Sequence, residues 1–217
     1  MKPMEIESAS LAIIEQELNE NFDLSKIDFC ASKLEAELLK RVIHATADFS
    51  FAESLCASKD AVALAQDLLS KPGQILVADT NMIKMGVSKP ALSALGHELH
   101  CFMADEDVAQ EAKKRSQTRA WISMEKALNK YDNAIYVIGN APTAIYSLLD
   151  QLNNLKTKHK PALIIGVPVG FVQVVEAKEA LMASSIPYIV SRGRKGGSTV
   201  AVALMNALLY SLYKRDV

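Results

Sequence analysis

The residues that follow the last apolar run of the chain, 191–198, carry three cations within four positions. These cations are Arg192, Arg194 and Lys195. Gly196 and Gly197 let the backbone approach a ligand closely, and a helix that opens at Ser198 has unpaired amides in its first turn. Arginine side chains can also grip a carboxylate or phosphate with two parallel hydrogen bonds. The segment therefore predicts an anion site. The alternative is a solvated basic turn in which Ser198 caps the helix.

His44 is the second residue that could do chemistry. It stands near the end of an apolar helical stretch, just before the polar turn 46–50. Histidine titrates near neutral pH and can exchange a proton with a ligand nitrogen, although a lone helical histidine can equally be structural. The sequence has no Ser/His/Asp order, no HExxH motif and no spaced pair of metal ligands. We therefore expect chemistry that needs no covalent nucleophile, no metal and no protein-bound cofactor.

Two other segments could contact a ligand. In the turn 139–143, Asn140 or Thr143 is placed to cap the next helix, so capping explains this segment as well as ligand binding does. Arg119 precedes a helix, where it could hold a carboxylate or form a surface ion pair. The basic segment 191–198 matches neither the dinucleotide fingerprint nor the P-loop, so the pattern does not identify the anion.

Five apolar runs must bring these loops together. The runs are 74–78, 98–102, 134–138, 162–165 and 188–190. Near-continuous apolarity is typical of parallel strands that are covered on both faces. Helical patterns alternate with the runs, in residues 105–129, 143–155, 169–184 and 198–213.

This alternation predicts an α/β fold of three layers, helix/sheet/helix, with a five-stranded parallel sheet. We expect one domain, 1–217, whose first 70 residues form additional helices. Ligands of such sheets bind beyond the carboxyl ends of the strands. The loops 79–81, 139–143, 166–170 and 191–198 all follow strands, and we expect the site along that edge.

Composition limits the function classes. The net charge of −1 indicates no general affinity for nucleic acid or for an anionic membrane. The three cysteines, Cys30, Cys56 and Cys101, have no CxxC spacing and are expected to be free thiols in a reducing compartment. The acidic N-terminus does not resemble a signal peptide, and no apolar run is long enough to span a bilayer. A cytoplasmic protein is expected.

Taken together, six segments resemble the precorrin-8X methylmutase family, which includes the cobalt-precorrin-8 methylmutases. They occur in the family's order and extend over nearly the whole chain. The matching segments are 41–45, 79–83, 138–144, 161–172, 176–179 and 192–198.

The resemblance implies a flavodoxin-like doubly wound sheet, a homodimer and an isomerase of cobalamin biosynthesis. Such an enzyme moves a methyl group from C11 to C12 of a corrinoid ring, giving hydrogenobyrinate or its cobalt counterpart. The family's catalytic histidine falls on His44, which is expected to interact with a ring nitrogen or to protonate the macrocycle. The anionic corrinoid would be held by residues in or beside the matching segments. These substrate-binding candidates are Ser10, Thr80, Arg119, Asn140, Arg192, Arg194, Lys195, Gly196, Gly197 and Ser198.

Two other functions remain open from the sequence. A corrinoid carrier without turnover would use the same binding residues. A nucleotide- or phosphate-binding α/β protein would use the helix start at Gly196-Gly197, but its missing feature is an acidic residue after a glycine turn at the first strand, where a ribose would be held. Whether the substrate carries cobalt also remains open.

Overall fold

The computed structural model describes residues 3–154 and 157–214. In this part of the chain, one sheet contains six strands in the order β1-β6-β5-β4-β2-β3. The strands are β1 (Leu55–Ala57), β2 (Ile75–Ala78), β3 (Glu98–His100), β4 (Ile135–Ile138), β5 (Leu163–Gly166) and β6 (Tyr188–Ser191). Strands β2 to β6 pair in parallel, and their order β3-β2-β4-β5-β6 is that of flavodoxin. The predicted five-stranded parallel sheet is therefore confirmed.

Strand β1 is a correction to the sequence prediction, which made the first 70 residues helical. It pairs antiparallel with β6, and Leu55 lies opposite Ser191. Three residues are too few to show the alternation of apolar and polar side chains that identifies a strand in a sequence. The segment is a strand because β6 offers it an edge, which is a tertiary contact and not a local preference.

The described residues also form eleven α-helices and two short 3₁₀ turns, Leu24–Lys26 and Asp28–Cys30. None of these helices is both long and apolar enough to cross a bilayer. The helices are α1 (Pro3–Asn21), α2 (Lys33–Thr46), α3 (Phe51–Ser54), α4 (Ala61–Ser70), α5 (Asn81–Gly86), α6 (Lys89–Leu95), α7 (Glu106–Arg115), α8 (Arg119–Lys130), α9 (Pro142–Asn153), α10 (Val174–Met182) and α11 (Ser198–Tyr210).

Two apolar cores lie on opposite faces of the sheet. Along β4, Ile135 and Val137 enter the core formed with α1–α6 and α11, whereas Tyr136 and Ile138 enter the core formed with α7–α10. Successive side chains of a strand point to opposite faces, so an apolar run buries both sets. The predicted three-layer arrangement is confirmed.

Local signals define the ends of the helices near the site. At the start of α2, the Ser32 hydroxyl accepts from the Glu35 amide and the Glu35 carboxylate accepts from the Ser32 amide, which is a complete capping box. The predicted helical stretch 105–129 is two helices, because Ser116 adopts a left-handed conformation with φ of 52° and ends α7. The next helix, α8, begins after Thr118, whose hydroxyl accepts from the Trp121 amide.

Strands β2 and β4 are neighbours at the centre of the sheet, and the chain winds away from them in opposite directions. This reversal opens a crevice beyond the carboxyl ends of the two strands, where ligands of doubly wound sheets bind. The loops after β2 and β4 therefore define the centre of the candidate site.

Candidate active site

Asp79, the residue after β2, holds the turn that follows β4. Its side chain is fully buried. Its Oδ1 accepts from the Gly139 amide at 3.0 Å, and its Oδ2 accepts from the amides of Asn140 at 2.9 Å and Ala141 at 2.8 Å. Burial raises the pKa of the Asp79 carboxyl, and the three amide donors act in the opposite direction. The β4 turn is thus fixed by a residue from the neighbouring strand.

The capping explanation for this turn is wrong. Helix α9 has Ala141 at its N-cap without a side-chain hydrogen bond, and Pro142 occupies its first turn. Thr143 instead accepts a hydrogen bond from the Thr118 hydroxyl at 2.9 Å. The Asn140 side chain is exposed beyond the end of β4. Helix capping therefore does not account for this asparagine.

Thr80 and Ser198 join the end of β2 to the start of α11. The Thr80 hydroxyl caps α5 by accepting from the Ile83 amide at 3.3 Å, and it lies 3.1 Å from the Ser198 hydroxyl. Gly139 permits this approach, because a Cβ atom there would lie only 2.8 Å from Cα of Ser198. The candidates Thr80, Asn140 and Ser198 are thus gathered around the central crevice.

The basic segment 191–198 lies against the loop that follows β5. The Gly197 amide donates to the Val167 carbonyl at 2.8 Å. At Gly196, φ is 158° and a Cβ atom would lie 2.2 Å from that same carbonyl oxygen. Helix α11 begins at Ser198 with Gly197 as its N-cap, so Ser198 does not cap the helix as the alternative reading required. The glycines are needed for close packing of two loops.

The three cations of this segment have different surroundings. Arg192 lies 3.4 Å from Asp28. The guanidinium of Arg194 lies over the ring of Phe171, 5.4 Å from its centroid. Lys195 contacts the turn after α2, and its Nζ lies 2.6 Å from Oδ2 of Asp48. This ion pair lowers the pKa of Asp48 to about 2. All three side chains are exposed at the carboxyl edge of the sheet.

His44 lies in the last turn of α2 with its side chain exposed. It borders a groove of about 200 Å³ between α2 and α11. The residues that line the groove are Arg41, His44, Ala45, Thr199, Val202, Ala203, Asn206 and Tyr210. Thr199 follows Ser198, so the groove reaches the first turn of α11, where the Thr80–Ser198 contact lies. The groove beside His44 thus extends to the helix start that carries Ser198.

The sequence prediction missed the α11 side of this groove. Its residues Thr199, Val202, Ala203 and Asn206 recur at helical spacings of three and four. The helix start at Gly196-Gly197 was recognised, and the helical spacing of the following residues would have indicated that these four lie on one face of α11.

Ser10 and Arg119 lie in the helical layers on opposite faces of the sheet. Ser10 lies on α1, half-buried, and donates to the Ile6 carbonyl of its own helix at 2.9 Å. Helix α1 packs on α2, where Glu7 pairs with the groove residue Arg41. Arg119 is exposed at the first position of α8, in the layer on the other face of the sheet from His44. The structure therefore does not place Arg119 beside His44.

A metal centre built from protein ligands is not present in the described residues. Over 3–154 and 157–214, no group of three or more His, Cys, Asp or Glu side chains could hold a metal ion. The three cysteines are free thiols in this structure.

Known proteins resemble this chain over nearly its whole length. The family model described as precorrin-8X methylmutase matches residues 5–211. The cobalt-precorrin-8 methylmutase of Priestia megaterium is 38% identical over 208 residues, which cover 96% of this chain and 88% of the relative. That of Salmonella typhimurium is 39% identical over 213 residues, covering 97% and 96%. The precorrin-8X methylmutase of Pseudomonas aeruginosa is 38% identical over 174 residues, covering 79% and 82%.

A solved structure supports the same relationship. The crystal structure of the precorrin-8x methyl mutase from Thermus thermophilus superposes with a TM-score of 0.80 at 35% identity, covering 94% of this chain and 95% of the other. The family suggested by the six sequence segments is confirmed by both comparisons. This chain belongs to the precorrin-8X methylmutase family.

Proposed function

We propose that this chain is a corrinoid methylmutase of cobalamin biosynthesis, an isomerase that moves a methyl group from C11 to C12 of a precorrin-8 ring. Membership of the family supports this activity. We propose the cobalt-bearing ring as the first substrate to test. The support is that relatives matching 96% and 97% of this chain are named cobalt-precorrin-8 methylmutases.

The observation that carries the proposal is the groove beside His44. One wall of the groove is α11, which begins at the basic segment and extends roughly 18 Å from Ser198 to Tyr210 at about 1.5 Å per residue. A ring lying along α11 would present its rim carboxylates to the cations at the start of that helix, while His44 faces the ring itself. An exposed histidine next to a concentrated anion site fits proton transfer to a polycarboxylate.

The reaction conserves atoms, since the bond from the methyl group to C11 breaks and a bond to C12 forms. In our proposal, the imidazole of His44 donates a hydrogen bond or proton to a ring nitrogen and recovers it after the shift. This draws electron density from the ring and lowers the barrier to migration. Rigid holding of the macrocycle supplies the rest, because every substituent stays in one orientation.

The substrate-binding residues divide by position. We propose that Arg192, Arg194 and Lys195 hold carboxylates at the start of α11, together with the amides around Gly196 and Gly197. We propose that a second group of residues contacts the remaining sides of the ring. This group consists of Thr80, Asn140 and Ser198 at the crevice, Arg119 from α8 and Ser10 from α1.

We further propose a single domain over 1–217 that acts as a cytoplasmic homodimer. The support for a dimer is apolar surface beside the site: Met82 and Met85 of α5 are 66% and 67% exposed, and Phe171 and Val172 are 83% and 77% exposed. Large apolar side chains exposed to this extent are typical of interfaces. Sedimentation velocity measures the oligomeric state directly, and a monomer at micromolar concentration would contradict this part of the proposal.

The test of the activity is an absorbance time course with each form of the ring, with and without cobalt. We expect the spectrum of the rearranged product with the wild-type protein. His44→Ala should slow the step by roughly 10² to 10⁴-fold, the usual contribution of a general acid or base. Because His44 is exposed, this variant should fold normally and still bind the ring. His159→Ala is the matched control, since the ring of His159 contacts the Leu128 carbonyl far from the groove.

Two outcomes would contradict the proposal at different points. Wild-type turnover in His44→Ala would remove this histidine from the mechanism while leaving the activity in place. A stable bound spectrum with no rearrangement of either ring would indicate a carrier that binds corrinoid without converting it.

A further inference from the structure

Lys178 is a fully buried lysine on α10, behind the basic segment. Its Nζ lies 2.8 Å from the carbonyl oxygen of Gly193 and 2.8 Å from that of Lys195. The third neighbour is the hydroxyl of Ser191 at 3.3 Å. An ammonium group has three N–H donors, and here all three acceptors belong to the segment 191–195.

The surroundings of this ammonium are unusual for a buried charge. Within the described residues, no carboxylate lies at ion-pair distance from Lys178, so backbone carbonyl dipoles replace the usual counter-ion. Burial lowers the pKa of Lys178 to about 8. An apolar side chain of similar length would fill the same space without this desolvation penalty. The contacts to the loop are what distinguish lysine from such a side chain.

The contacts of Lys178 determine which way the loop's peptide groups face. In a trans peptide, the N–H of one residue points opposite to the C=O of the residue before it. When the carbonyls of Gly193 and Lys195 point inward to Lys178, the amides of Arg194 and Gly196 point outward. Neither of these two amides has a hydrogen-bond acceptor among residues 3–154 and 157–214. Two outward amides beside exposed cations are donors available to an anion.

We propose that Lys178 is a positioning residue that turns the amides of Arg194 and Gly196 toward a carboxylate of the bound ring. This inference rests on the proposed function, because the carboxylate is that of the corrinoid. Lys178 itself does not touch the substrate, since its side chain is buried behind the loop. Ser191 strengthens the same arrangement, because its hydroxyl also donates to the Lys195 carbonyl at 2.8 Å.

The first measurement uses native-state cleavage by trypsin, which acts after Arg192, Arg194 and Lys195. In Lys178→Met, the side chain keeps its length but loses its three donors. We expect cleavage in the folded protein at these bonds at least about tenfold faster than in wild type, since the loop opens locally more often. Leu69→Ala is the matched control, a buried residue of α4 away from the loop whose loss weakens the fold generally. It should speed cleavage at these three bonds no more than at the other lysine and arginine sites of the chain.

The second measurement separates KM from kcat. Lys178→Met should raise KM for the ring about tenfold or more with kcat within about threefold of wild type, because ground-state binding is lost and proton transfer at His44 is not. Ser191→Ala, a small change that preserves folding, should raise KM by about two- to fivefold and likewise leave kcat nearly unchanged. Unchanged trypsin cleavage in Lys178→Met, or an unchanged KM in either variant, would overturn the proposal.

Failure of the proposed function would be recognised separately. If the wild-type protein converts neither ring, the affinity for the corrinoid from a spectral titration replaces KM in the comparison. Trypsin cleavage needs no turnover and still reports whether Lys178 holds the loop. Faster cleavage with weaker corrinoid binding would then support the positioning role in a carrier.

Discussion

Nζ of Lys195 lies 2.6 Å from Oδ2 of Asp48, which ties the basic segment to the turn that follows the helix of His44. The same ammonium also donates to the Ser50 hydroxyl at 2.8 Å. The charge of Lys195 is therefore partly neutralised by the protein's own carboxylate, whereas Arg194 lies over the ring of Phe171. The two neighbouring cations should contribute differently to binding of an anion.

We predict that Arg194→Ala weakens corrinoid binding more than Lys195→Ala does. Losing a charge-assisted hydrogen bond to a carboxylate costs about 1.5–3 kcal/mol, or roughly tenfold or more in affinity. The ammonium of Lys195 already donates to Asp48 and Ser50, which leaves it fewer N–H donors for a substrate carboxylate, so we expect Lys195→Ala to change the affinity about threefold or less. Spectral titration at two salt concentrations measures both affinities, and the deficit of Arg194→Ala should shrink as salt screens the wild-type contact. Equal losses in the two variants would contradict this ranking.

The close approach of Gly196 to the β5 loop gives a second prediction. A Cβ atom at this position would lie 2.2 Å from the Val167 carbonyl oxygen and 2.8 Å from that of Pro168. Gly196→Ala should therefore displace the loop, lower the free energy of unfolding by about 2 kcal/mol or more and weaken corrinoid binding.

Gly193→Ala is the control for this substitution. Its φ is +75°, but a Cβ atom there would meet nothing within 4 Å. This variant should lose only about 1 kcal/mol, which is the cost of placing alanine in the left-handed region. Urea unfolding measures the stability of the two variants and spectral titration measures their affinity for the corrinoid. If both variants lose similar amounts of stability and affinity, the backbone angle φ determines the cost of the substitution and the contact with Val167 does not.

The buried ammonium of Lys178 predicts a pH dependence of stability. Its pKa in the folded protein is lowered by burial to about 8, below the ordinary value of 10.5. Between these two pH values the unfolded chain binds more protons than the folded chain, so the free energy of unfolding rises with pH. The gain is up to about 3 kcal/mol at about 1.4 kcal/mol per pKa unit.

Urea unfolding of wild type and Lys178→Met from pH 7 to 10.5 isolates this contribution, because other titrating groups cancel in the difference. The buried Cys56 thiol faces Lys178; burial raises the pKa of this thiol, and the guanidinium of Arg192 acts on it in the opposite direction. The stability of wild type relative to the variant should be lowest below pH 8 and increase above it. A difference that does not change with pH would show that Lys178 does not lose its proton in this range.

Much of the fold follows from local pattern in this sequence. Four of the five predicted parallel strands are nearly continuously apolar, as in residues 135–138, because both faces of the strand are covered. Such runs need no knowledge of their neighbours to be recognised. The fifth, the edge strand β3, contains Glu98 and His100 and is partly exposed. Strand β1 was missed because its three residues become a strand only through pairing with β6.

Part of the candidate site could likewise be predicted from the sequence. The sequence determined which residue types stand at the strand ends, the cations of 192–195, the glycines after them and the histidine before the turn at 46–50. It also determined the family, since six segments occur in one order. These properties depend on residue identity and spacing along the chain, which the sequence contains completely.

Only the tertiary structure decided what these residues touch. It placed Ser198 against Thr80 across 118 positions, joined Lys195 to Asp48 across 147 and directed Lys178 to the carbonyls of the basic loop. It also showed that Asn140 does not cap α9, because Asp79 of the neighbouring strand holds that turn. Contacts of this kind arise from the order in which strands enter the sheet, and no local pattern of residues specifies that order.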